Sequence, residues 1–214
     1  MLKTSSAKRA SYSFFDVTSV CSQRRVRFPS RALEQLFIEL ETTPGIVDCD
    51  YRRLEIPYLS GADEKMAMLD FSLTRRDDSR PHSVKVQLIP GSGSENERLA
   101  VEAASRYCAR ERFEHLVVRT GRSPQGPFEL QNRRAAHAWL ARATTWVSMK
   151  LEQQLIEYGR SGKGMLSEAE EYLSLTHAQA RVVFLRCWLR GELAWDVGAQ
   201  SLLADLPVRG VGHV

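Results

Sequence analysis

Met66-Ala67-Met68-Leu69-Asp70-Phe71-Ser72-Leu73 is an apolar run with one carboxylate at its centre. Across a polar turn it is followed by Ser83-Val84-Lys85-Val86-Gln87-Leu88. The first stretch reads as a buried strand. The second alternates, so Val84, Val86 and Leu88 share one face and Ser83, Lys85 and Gln87 the other. A buried charge without a partner is expensive, so Asp70 requires a cation, a metal or a donor. A structural salt bridge and a ligand role are both open readings. An aspartate strand beside a lysine strand on a common face makes a compact acid–base pair.

Outward from this pair, residues 46–49 and 53–58 read as further strands, with turns at 61–63 and 76–81. Ahead of them, 30–43 reads as a helix, with Leu33, Leu36, Phe37 and Leu40 on one stripe, Ser30 as N-cap and Pro44-Gly45 as the stop. Glu34 sits at the edge of that stripe, either an exposed helix glutamate or a carboxylate aimed along the sheet towards Asp70. Behind them, 95–112 reads as a helix, 115–119 as a short strand and 120–127 as a Gly/Pro loop. This order predicts a mixed α/β sheet flanked by helices.

From 131 to 158 the pattern is helical and long enough for two helices, followed by a glycine-rich linker or turn at 159–164. A short helix over 167–173 precedes a Thr176/Gln179 capping box, a third helix that stops at Gly191, and a short strand over 192–197. Three short helices and a strand suit a small winged-helix-like module. A plain helical subdomain on the sheet is the alternative.

The chain has 214 residues, 43% hydrophobic and 26% charged, which excludes a mostly disordered protein. It has no run of eighteen apolar residues and no leader-like start, so neither a membrane nor secretion is expected. Four scattered cysteines without metal spacing suit reduced thiols in a cytoplasm. The net charge is +4, but residues 1–30 alone carry a net +5. A basic arm on a near-neutral body suits a nucleic-acid partner; the alternative is a solvated tail. The five histidines show no metal spacing, no phosphate-cradling glycine motif is present, and the four tryptophans read as core.

Glu on a first helix, Asp-Phe in a strand and x-x-Lys in the next resembles the PD-(D/E)xK nuclease superfamily. More closely, the chain resembles the endonuclease subunit of TnsA-type heteromeric transposases. The resemblance rests on Ser30-Arg31-Ala32-Leu33-Glu34, Leu54-Glu55-Ile56-Pro57-Tyr58, Met68-Leu69-Asp70-Phe71 and Val84-Lys85-Val86. Arg106-Tyr107-Cys108, Leu116-Val117-Val118-Arg119-Thr120, Leu130-Gln131-Asn132 and Trp188-Leu189-Arg190-Gly191-Glu192-Leu193 continue it, so that it covers roughly 28–210.

The charge reading sets off a basic arm at 1–27, and the resemblance implies a nuclease-like α/β domain at 28–145 and a helical, winged-helix-like domain at 146–214. It implies metal-dependent cutting of DNA at transposon ends. Glu34 and Asp70 would ligate Mg²⁺ or Mn²⁺, and Lys85 would be the catalytic lysine. The metal would polarise the scissile phosphate and acidify a bound water. The implied partners are a DDE-type transposase and a regulatory ATPase. Ser83 stands where such enzymes carry a Glu or Gln ligand, with Gln87 a second oxygen donor beyond Lys85. Met68 and Leu69 replace the usual proline and tyrosine. A non-cutting DNA-binding or assembly subunit with an eroded site is therefore the alternative, and a restriction-like or repair nuclease shares the fold.

Overall fold

The computed structural model describes residues 14–76, 80–143, 148–161 and 164–211. A hairpin of β1 (Phe15–Thr18) and β2 (Arg25–Phe28) leads into α1 (Arg31–Glu41). Ser30 caps that helix, its hydroxyl accepting from Leu33 N–H at 3.3 Å. β3 (Ile46–Asp50) follows, then a second hairpin of β4 (Leu54–Ser60) and β5 (Asp63–Leu69). β6 (Phe71–Arg76), β7 (Pro81–Ile89), α2 (Glu95–Glu111) and β8 (Glu114–Arg119) complete the α/β part.

The main sheet has the order β3-β6-β7-β8. The first three strands are antiparallel, and β8 joins parallel to β7 after the α2 crossover. The expected mixed α/β sheet flanked by helices is present. α1 buries Leu33, Leu36, Phe37 and Leu40 against Phe71, Leu73, Val84 and Val86 on one face. α2 buries Ala103, Ala104 and Cys108 against Ile56, Ala67 and Leu69.

Residues 15–28, expected to belong to an arm without a period, form β1 and β2. Phe28 is their anchor, its ring 5.0 Å from Phe37 and 4.7 Å from Tyr51. Residues 1–13, the rest of that arm, lie outside the described residues.

The run 66–73, expected to be one strand, is two. Ala67 and Leu69 face α2, whereas Phe71 and Leu73 face α1. Residues an even number apart share a face only in an unbroken strand. Asp70 is the inserted residue: its N–H donates to Val86 O at 2.7 Å, and the next residue, Phe71, is also paired with Val86. Two residues opposite one make a β-bulge, which bends the chain so that β5 leaves β7 and turns back with β4.

The remaining helices are α3 (Glu129–Arg142), α4 (Met149–Arg160), α5 (Leu166–Tyr172) and α6 (His177–Leu189). They share a core of Leu155, Leu166, Phe184, Leu185 and Trp188. α3 serves both halves, giving Ala136 and Leu140 to this core and His137 to α1. Thr176 and Gln179 make both bonds of the capping box. Gly159 lies within α4, not in a linker, and a side chain there would meet Leu193 at 2.8 Å. The strand expected over 192–197 is reduced to one bridge, Leu193 to Gly210. Side chains hold this segment in place of a ladder. Asn132 Nδ2 donates to Val197 O and Gln200 O at 2.8 and 2.7 Å, and the Arg181 guanidinium donates to Leu202 O. Trp139, Trp188 and Trp195 pack on this core as expected, and Trp146 lies outside the described residues. Among the described residues no helix is long and apolar enough to cross a membrane.

Candidate functional site

The bulge decides what Asp70 can do. Its side chain is 3% exposed and fills the wedge where β5 parts from β7. Oδ2 accepts from Leu88 N–H at 3.0 Å, replacing the strand carbonyl that would otherwise sit there. Oδ1 lies 3.3 Å from Arg53 Nε. The β4–β5 register, Leu54 opposite Leu69, carries Arg53 to this position. Burial raises the Asp70 carboxyl above its ordinary value, and the Leu88 and Arg53 contacts offset this only in part.

Lys85 is half-buried on the face away from α1. Its Nζ donates to Ser72 Oγ at 2.6 Å and lies 4.7 Å from the centre of the Phe113 ring. Gln87 is buried, with its Oε1 3.1 Å from His115 Nε2. Burial lowers the His115 pKa and keeps the ring neutral at physiological pH. Ser83 is exposed, opposite Thr74. Ser83 and Lys85 line a shallow polar cleft with Asp48, Asp50, Arg52 and Arg53.

Glu34 belongs to the other side. α1 packs on the Val84–Val86 face, and Ser83, Lys85 and Gln87 project from the opposite one. Among the described residues the Glu34 side chain makes no hydrogen bond or ion pair, and its Oε2 is buried and unsatisfied. Glu34 therefore lies on the opposite face of the sheet from Lys85, which departs from the expected convergence of Glu34, Asp70 and Lys85. Neither Glu34 nor Lys85 bonds to Asp70. The bulge is the physical reason: it turns the Asp70 carboxylate into the wedge while strand alternation sends Lys85 towards α2.

Magnesium demands near-octahedral oxygen ligands. The set expected to supply them, Glu34, Asp70, Ser83 and Gln87, does not fit as arranged. Asp70 is bound on both oxygens, Gln87 is engaged by His115, and Ser83 lies on the opposite face from Glu34's helix. Among the described residues no group of three or more His, Cys, Asp or Glu is placed to hold a metal ion. Burial raises the Cys49, Cys108 and Cys187 thiols, Cys187 to about 12, whereas Cys21 is exposed.

Sequence reasoning missed Arg53, His115 and Glu41. Arg53 is legible only as a cation preceding a strand, and the strand pairing gives it meaning. His115 is an imidazole beside the apolar run Leu116–Val118 of β8. Glu41, at the end of α1, accepts from Ser19 Oγ at 2.5 Å and Val20 N–H at 2.8 Å, and lies 2.8 Å from His137 Nε2.

The Phe28–Tyr51 contact sets β2 beside the loop of Tyr51, Arg52 and Arg53. Arg25, Arg27, Arg31, Arg52 and Arg53 are exposed, and Asp48 and Asp50 line the cleft with Arg52 and Arg53. Asp16 pairs with Arg25 at 3.1 Å and with Arg27 at 3.0 Å. No family model matches the chain, and no curated protein matches it.

Proposed function

We propose that this chain is a nuclease-fold subunit, similar to the TnsA type, that binds DNA in a transposase-like assembly without cutting it. One observation carries the non-cutting part: both oxygens of Asp70 are taken, by Arg53 and by Leu88 N–H, and among the described residues no group of three or more His, Cys, Asp or Glu is placed to hold a metal ion. The DNA part is supported by the resemblance, by the net +5 of residues 1–30, and by the arginines around the Phe28–Tyr51 contact. In this reading a DDE-type transposase does the cutting and an ATPase regulates it.

The cutting alternative is favoured by one feature, the buried and unsatisfied Oε2 of Glu34, which a cation would satisfy. Two measurements separate the readings. Duplex binding across a salt series should give a log–log slope of about −3 or steeper, each phosphate neutralised contributing about −0.9. Nicking of supercoiled plasmid in Mg²⁺ or Mn²⁺ should be absent with the chain alone. Nicking that Asp70→Ala abolishes would restore the endonuclease reading. A flat salt dependence would remove DNA as the partner.

A further inference from the structure

β8 ends the main sheet, and among the described residues its outer edge has no partner. Thr120 N–H reaches Ile89 O, and Ile89 is paired with Arg119. In a parallel ladder alternate residues turn their backbone to the neighbour. The N–H and C=O groups of His115, Val117 and Arg119 therefore point outward. Proteins blunt such edges with proline, lysine or a bulge. The edge strand β4 carries Pro57, whereas β8, Glu-His-Leu-Val-Val-Arg, has neither a proline nor a lysine and keeps its charges, Glu114 and Arg119, at its two ends.

A groove runs beside this edge, between β8 and α1. Its floor is apolar, formed by Leu36, Leu40, Leu73 and Val84 with Leu116 and Val118 at the mouth. Its rim holds Arg75, Arg119, Arg122 and Arg133 against Glu39 and Glu114. Arg122 is shared between Glu39 and Glu129, and Arg133 is held by Glu129. Arg119 is exposed and makes no hydrogen bond or ion pair among the described residues.

We propose that this edge is a docking site for an extended acidic–apolar segment of a partner protein. The segment adds to β8 as a fifth strand, sends an apolar side chain into the α1–β8 groove, and sets carboxylates against Arg119 and Arg122. Three observations choose this occupant. Unpaired main-chain groups on an edge are the recognition element of strand addition. The apolar floor desolvates an aliphatic side chain and offers nothing to a phosphate, which disfavours nucleic acid. A second copy of the chain is disfavoured by charge. Only outward residues can bond to outward residues, so a two-fold β8 pair centred on Val117 brings two arginine rims together. The inference does not depend on DNA binding.

The probe is a fluorescent peptide of about eight residues, a common strand length, in which valine alternates with glutamate. It is compared with its lysine counterpart and with a glutamate version N-methylated at alternate residues. The glutamate peptide should bind saturably. Each of the other two should bind at least about tenfold more weakly, since one opposes the arginine rim and the other loses its donors. Amide exchange at His115, Val117 and Arg119 should slow in the complex. Val117→Pro removes an outward N–H that β7 does not use, so it should abolish binding while leaving the melting temperature nearly unchanged. Should it perturb folding, Arg119→Glu on the surface serves instead and should reverse the preference between glutamate and lysine peptides. The proposal is overturned if the glutamate peptide fails to bind, if both charges bind equally, or if single-stranded DNA displaces it. It is likewise overturned if the chain dimerises in a manner that Val117→Pro abolishes, since β8 then takes its own copy.

Discussion

Asp70 and Glu41 are both almost fully buried, at 3% and 2% exposure, yet their carboxyl groups shift in opposite directions. Burial opposes the charge of each. At Glu41 the bonds from His137, Ser19 and Val20 N–H outweigh it and hold the carboxyl below its ordinary value. At Asp70 one backbone N–H and an arginine that is 44% exposed do not, and the carboxyl is raised. The number and burial of donors separate a carboxylate that fastens the fold from one that the fold tolerates. Glu41 joins three elements: the β1–β2 turn through Ser19 and Val20, α1 that carries it, and α3 through His137.

Removing each group tests this contrast most severely. Glu41→Ala strips the acceptor from a buried hydroxyl, a backbone N–H and an imidazole at once. Breaking a buried pair from one side costs about 3–5 kcal/mol, and urea unfolding should show a loss in that range. The β1–β2 hairpin should then exchange its amides faster than the main sheet. A loss under about 1 kcal/mol would place Glu41 among weakly held surface groups.

The pH dependence should differ in sign. Because the Glu41 carboxyl is lowered on folding, its contribution is complete above the ordinary glutamate value of about 4.3 and fades as pH falls through its lower folded value. Because the Asp70 carboxyl is raised, its burial costs nothing below the ordinary aspartate value of about 3.9 and the full amount above its raised folded value. Urea midpoints from about pH 3 to about pH 7 should therefore show Glu41→Gln losing ground to the unaltered chain as pH rises, and Asp70→Asn gaining ground. Parallel curves for the two variants would end the contrast.

At neutral pH, Asp70→Asn should be a small change. The amide oxygen still accepts from Leu88 N–H, the buried charge is gone, and the Arg53 contact it gives up is half-exposed. A shift within about 1 kcal/mol of the unaltered chain is expected, because half-exposed ion pairs contribute little. A loss as large as that of Glu41→Ala would mean that Arg53 and Asp70 form a fastening of the same kind.

Local signals in the sequence carried much of the architecture. Ser30 and Thr176 cap the helices that their positions announce. The alternation in 83–88 gave the correct faces, Val84 and Val86 towards α1 and Lys85 away from it. The site was less legible because it depends on one inserted residue. Periodicity treats 66–73 as continuous, and an apolar run with one polar residue looks alike with and without a bulge. Only the ladder, with Asp70 N–H and Phe71 both set against Val86, reveals the change of face. Glu41 was hidden for another reason. A glutamate at a helix end is ordinarily solvated, and its four partners lie 20, 21, 22 and 96 residues away. β1 and β2 were missed because strands of four residues are too short to show a period.

The smallest effect is expected at Ser83, and it tests whether the cleft beside Asp70 can become a metal site. Ser83 is exposed, next to Thr74 and on the Lys85 face. A glutamate there reaches solvent without crowding, so Ser83→Glu should alter stability by no more than about 0.5 kcal/mol. The resemblance to metal-dependent nucleases would have the new carboxylate complete a ligand set. The geometry argues otherwise, since Asp70 is bound on both oxygens and Glu34 lies on the far side of the sheet. Titrating Mn²⁺ into the Ser83→Glu variant should therefore give no saturable rise in melting temperature, because a ligand stabilises only the state it binds. If a rise appears and Asp70→Asn removes it, Arg53 yields to the metal, and the wedge is a closed catalytic site awaiting one ligand. If a rise appears and survives Asp70→Asn, the metal sits on Asp48, Asp50 and the new carboxylate, and Asp70 remains what its contacts make it, a charge held at the fork of two strands.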